Sequence, residues 1–71
     1  MTTREIGAYL CGARLHAAYD RAGWPNVPST DHVAAGLARE DAEVMASMGE
    51  RAWWRFFWMG WDEHTNDEDH N

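Results

Sequence analysis

The chain contains no lysine, one cysteine and two prolines, and no long apolar run. With Cys11 alone, an intramolecular disulfide is excluded. A zinc clip needs about four closely spaced ligands. Cys11, His16, His32, His64 and His70 are scattered without a C-x-x-C or H-x-x-x-H pattern, so no metal is expected. The longest apolar run, Trp53 to Trp61, is interrupted by Arg55 and falls far short of the roughly 20 residues that span a bilayer. The N-terminus M-T-T-R-E-I-G lacks the apolar stretch of a signal peptide, and a cytoplasmic location is the default expectation. Cations are scarce as well: six arginines face twelve acids, giving a net charge of −6. Such a charge repels nucleic acid phosphates and anionic lipid, and it suits a basic or apolar protein surface as partner. At 71 residues the chain is one domain, and a fold of this size buries only about 60% of its unfolded surface. It needs a staple, a metal or a second copy. With the first two excluded, a homodimer is the expected remedy.

Within this frame the residues read as helices. Thr2-x-x-Glu5 has the form of a capping box, and a helix is predicted from about Thr3 to Ala22. Ile6, Tyr9, Leu10, Ala13 and Ala17 recur at three- and four-residue steps and mark its expected buried face. Gly7, Ala8, Cys11, Gly12 and Ala18 leave the rest smooth enough for a bulky neighbour to approach closely. Gly23-Trp24-Pro25-Asn26-Val27-Pro28 then ends the helix, and Ser29, Thr30 and Asp31 offer N-caps for the next. A second helix from about Thr30 to His64 would be near 50 Å long and would overhang the first, unless Gly36 or Gly49 breaks it. The expected fold is all-α: an antiparallel helical hairpin over residues 1–64, dimeric, followed by a disordered acidic tail over 65–71.

The stretch R51-A-W-W-R-F-F-W-M-G-W61 holds four of the five tryptophans and both phenylalanines. On one ideal helix from residue 30 to 64, Val33, Leu37, Val44, Met45, Met48, Ala52, Phe56 and Met59 share one arc, the expected core face. Trp53, Trp54, Phe57, Trp58 and Trp61 fall in the opposite arc, so the C-terminal quarter is apolar nearly all round. A bent or three-helix arrangement would wrap both faces. A plain hairpin would leave one for a partner, and Trp, Tyr and Arg are the residue types that dominate binding at interfaces. The expected partner-binding set is therefore Arg51, Trp53, Trp54, Arg55, Phe57, Trp58 and Trp61, with Asp62 and Glu63 as acidic flank.

Catalytic chemistry is hard to assemble from these residues. Cys11 has no histidine three or four residues away and reads as an inert thiol. His16 and Asp20 form an ordinary one-turn pair. Glu40, Asp41 and Glu43 read as a solvent face, and His64, Asp67, Glu68, Asp69 and His70 as a solvated tail. The expectation is a non-enzyme without cofactor. Single-stranded nucleic acid would suit Arg-flanked tryptophans, but only Arg51 and Arg55 are local and Glu50, Asp62 and Glu63 surround them. A membrane-interface helix would carry a basic face, which is missing.

The ending G60-W61-D62-E63 resembles the G-W-x-E close of the ribosome modulation factor family, small two-helix proteins. In that family a helix rich in glycine and alanine leads into a short proline-containing turn, and G12-A-R-L-H-A-A-Y-D-R-A-G23 before W24-P-N-V-P28 is similar. The resemblance implies a helical pair and association with ribosomal RNA. That family is basic, whereas this chain is acidic and carries an additional acidic segment, Arg39 to Glu50. In size, charge and aromatic excess the chain is also similar in type to small acidic inhibitor proteins of phages and mobile elements, anti-CRISPR proteins among them. The function expected from sequence is thus a protein-binding module, an inhibitor of a host macromolecule; the alternative is a ribosome- or RNA-associated factor.

Overall fold

The computed structural model describes the backbone of residues 1–69 and the side chains of residues 1–63. It is all-helical among the described residues: α1 (Thr3–Ala22), α2 (Thr30–Ala35), α3 (Arg39–Met48) and α4 (Glu50–Asp69). The tail expected over 65–71 falls on residues whose side chains lie outside this set, and 70 and 71 lie outside it altogether.

Local chemistry sets the ends of α1. The Thr2 hydroxyl accepts from the Glu5 amide and the Glu5 carboxylate accepts from the Thr2 amide, which satisfies two donors that the first turn leaves open. At the other end Gly23 adopts φ 74°, a left-handed conformation that costs a residue without Cβ nothing. Its amide and that of Trp24 return to the Asp20 and Tyr19 carbonyls.

The predicted second arm is three helices, broken at both candidate glycines. Gly36 ends α2, and Gly49, at φ 92°, turns the chain between α3 and α4. Angular phase is not carried across such a turn, and this overturns the projection of one continuous helix. Val33 and Met45 are buried as expected, but on α4 the core face is Trp53, Phe57 and Trp61, while Met59 is exposed.

The buried face of α1 also differs from expectation. Ala8 and Gly12 are buried, with Leu15 and Tyr19 packed on the same side, whereas Ile6 and Leu10 are exposed at 41% and 45%. The reason is close approach. At Gly12 an added Cβ would lie 1.9 Å from the Phe57 carbonyl oxygen, and at Gly60 1.9 Å from that of Tyr9. Where two helix backbones touch, only the smallest residues fit, so α1 turns Ala8 and Gly12 to the contact and leaves Ile6 and Leu10 outside.

Most of the tertiary contact is between α1 and α4, with α3 against both. The two long helices meet where Tyr9 faces Gly60 and Glu63, Gly12 faces Phe57, and the His16 and Tyr19 rings both reach Trp61. Helices α2 and α3 make the return connection.

Candidate functional site

The aromatic stretch divides in two. Trp53 and Phe57 are fully buried and Trp61 nearly so, in one cluster with Ala8, Val33 and Met45. Trp53 and Phe57 stack at 5.2 Å, and Trp61 stacks on the His16 ring at 4.3 Å with planes 4° apart. His16 Nδ1–H donates to the Trp61 carbonyl at 2.7 Å, and the Tyr9 hydroxyl donates to the Glu63 carboxylate. Gly60, Trp61 and Glu63 are thereby all spent on holding α4 to α1. The Trp53 indole N–H is buried without a hydrogen-bond partner, an arrangement that costs about 1–3 kcal/mol.

The second group lies at the edge of that core. Trp54 and Trp58 are half-buried, stacked on each other at 6.0 Å, and each meets Phe57 edge-on. By helical phase Arg51, Asp62 and Arg55 follow them around α4, and all three are exposed. Of the residues predicted as a binding set, Trp54, Trp58, Arg51, Arg55 and Asp62 therefore form one strip. Glu63 is exposed but tied to Tyr9, and Trp53, Phe57 and Trp61 point into the fold.

A groove of about 850 Å³ runs on the other side of α1, between it and α2–α3, with Leu15, Tyr19, Val33 and Leu37 among its walls. Trp24 stands at its rim, 60% exposed, with its ring edge-on to Tyr19 at 5.1 Å. Sequence reasoning does not find this groove, because it arises from the break at Gly36 that separates α2 from α3. The signal is Trp24 itself, an aromatic among prolines in a loop where no helix face can bury it.

Cys11, His32, Glu40 and Asp41 are the titratable residues among its walls besides Arg14 and Tyr19. Burial and the neighbouring Asp41 carboxylate push the Cys11 thiol up to about 11, so it stays protonated at neutral pH. Asp41, expected on a solvent face, is half-buried and lines the groove near that thiol. His16 lies 3.6 Å from Asp20 as the spacing predicts, but its ring is engaged by Trp61. Among the described residues no three His, Cys, Asp or Glu side chains converge as metal ligands, and no helix is long and apolar enough to cross a membrane. Comparison with protein-family models, curated proteins and solved structures returned no match.

Proposed function

We propose that the chain is a non-enzymatic protein-binding module that occupies a host macromolecule through the Trp54–Trp58 edge of α4, in the manner of phage- or mobile-element-encoded inhibitors, and that it acts as a homodimer in the cytoplasm. The observation that carries the reading is what remains outside once the core is filled. Two stacked tryptophans, presenting part of their faces, stand beside exposed Arg51, Arg55 and Asp62. Aromatic rings with adjacent arginine supply large contact area at low entropic cost, and the acids confer orientation on a basic patch. The net charge of −6 favours such a partner over nucleic acid.

The ribosome- or RNA-associated alternative draws on the G60-W61-D62-E63 ending. Gly60, Trp61 and Glu63 each serve the α1–α4 contact. The likeness is therefore accounted for by helix packing, with no need of RNA contact.

The test is a pull-down from source-cell lysate on immobilised chain, with partners identified by mass spectrometry. Trp58→Ala, Trp54→Ala and Arg55→Glu should remain helical by circular dichroism and lose one specific protein. If all three retain every partner of the parent chain, the edge is not the site. Retention of RNA that falls steeply with salt would instead support the alternative, because phosphate contacts release counterions.

A further inference from the structure

The face of α1 opposite the core carries exposed Ile6 and Leu10 and half-buried Ala13 and Ala17 in steps of four, three and four, a seam of coiled-coil spacing. We infer that this seam binds a second copy of the chain, with the two α1 helices antiparallel about a two-fold axis between Leu10 and Ala13. This rests on the homodimer proposed above and assigns its interface, while remaining separate from the α4 edge, whose test is the pull-down.

Two properties of the seam select this occupant. The first is size order. Its N-terminal half is large (Ile6, Leu10) and its C-terminal half small (Ala13, Ala17). Reversal about a two-fold sets Leu10 against the partner's Ala13, and Ile6 against the partner's Ala17, so that large meets small at every level. Parallel pairing would place Ile6 on its own copy and leave a void between alanines. The second property is charge. Within α1 three arginines face two acids, whereas the rest of the chain has three arginines and ten acids. Two molecules of net charge −6 meet on α1 without opposing their acidic segments. A basic foreign partner finds no such match on this face.

The experiment is multi-angle light scattering with sedimentation velocity over a concentration series of the full chain. The parent should show twice the 8.1 kDa chain mass. Leu10→Glu should show the single mass, with self-association weakened by about tenfold or more because a carboxylate would sit at the desolvated centre of the seam. Its helix content should be unchanged, since Leu10 is already exposed. Orientation is read on a Cys11→Ser background. Ile6→Cys with Ala17→Cys should crosslink between chains under mild oxidation, and either substitution alone should not. A parent that stays at single mass throughout, a Leu10→Glu variant that stays dimeric, or crosslinking by Ile6→Cys alone would each overturn the inference.

Discussion

Replacing Gly12 by alanine tests the central geometric claim, that α1 and α4 touch backbone to backbone. In a free helix this change is favourable by about 1 kcal/mol, because alanine loses less conformational freedom than glycine. Here the new Cβ would lie 1.9 Å from the Phe57 carbonyl oxygen and 2.8 Å from its carbon, against 3.4 Å for ordinary contact. These are main-chain atoms that no rotamer change can move aside, so the helices must part by about 1.5 Å near the crossing. A gap of even 1 Å forfeits up to about half of the dispersion energy between two touching atoms. Trp53, Phe57 and Trp61, which fill this region, would loosen together. Overpacking of a tight core costs typically about 1–3 kcal/mol, and with several rings displaced the upper end is expected after the propensity gain is subtracted. A chain of this length has about 4–11 kcal/mol in total. Gly12→Ala should therefore lower the urea midpoint by roughly 2 M, followed by tryptophan fluorescence and circular dichroism together. Gly7 is the control: it lies in the same helix with nothing within 4 Å of a built Cβ, and Gly7→Ala should raise the midpoint. Gly60→Ala meets the Tyr9 carbonyl in the same way, and once the helices have parted it should cost less on the Gly12→Ala background than alone. If Gly12→Ala and Gly7→Ala shift the midpoint in the same direction, the close crossing is wrong.

Three further outcomes follow from the geometry described above. The Cys11 thiol, raised from 9.0 to about 11, should react with iodoacetamide at pH 8 about 100-fold more slowly than an unhindered thiol, and the rate should climb tenfold per pH unit to about 11; a plateau below pH 9 would refute the assigned burial. Because the neutral thiol is the form that fits, its contribution to stability is complete below 9.0 and is lost as the pH rises through 11. Glu5 has the opposite sign: bonding to the Thr2 amide holds its carboxyl below the ordinary 4.5, so the cap is intact above that pH and is lost as the pH falls through the depressed value. The amide resonances of Thr2 and Glu5 should titrate together below 4.5, and Glu5→Gln should abolish the change. Trp53→Ala should cost about 3–5 kcal/mol or prevent folding, whereas Trp58→Ala, at the half-buried edge, should cost clearly less. Equal losses in urea titrations would erase the distinction between core and surface aromatics.

The parts of the fold legible in the sequence are those governed by neighbours along the chain. Thr2 and Glu5 are three residues apart and cap one turn, and Gly23 ends the same helix, so both ends of α1 can be read directly. The breaks at Gly36 and Gly49 are legible as candidates for the same reason, although that both are used depends on tertiary packing. What cannot be read is which side of each helix turns inward. Periodicity weighs Ile6 and Leu10 above Ala8 and Gly12, but at a backbone crossing a large side chain holds the helices apart, and the dense packing this prevents outweighs the area that side chain would bury. On α4 the difference has another origin, since one turn at φ 92° erases the phase carried from Val33 and Met45 and exchanges the arcs of Trp53 and Met59. Of the residues expected to meet a partner, Trp54, Trp58, Arg51 and Arg55 lie at the surface or its edge, whereas Trp53, Phe57 and Trp61 are core.

This division changes why a second copy would be needed. From sequence, a dimer is expected because a lone hairpin leaves surplus aromatic area at one end. Three of those rings are covered within one chain, by glycine and alanine on α1 that let them approach and by α3, which the break at Gly49 allows to fold back on α4. In a chain whose single cysteine allows no internal disulfide, the tryptophans take the part of the staple. On the opposite side of α1, Ile6 and Leu10 are left exposed, an apolar surface additional to the half-buried Trp54–Trp58 edge of α4. The two proposals place self-association and partner binding on different faces, so Leu10→Glu should separate the chains without releasing a bound host protein, and Trp58→Ala should release that protein without separating the chains.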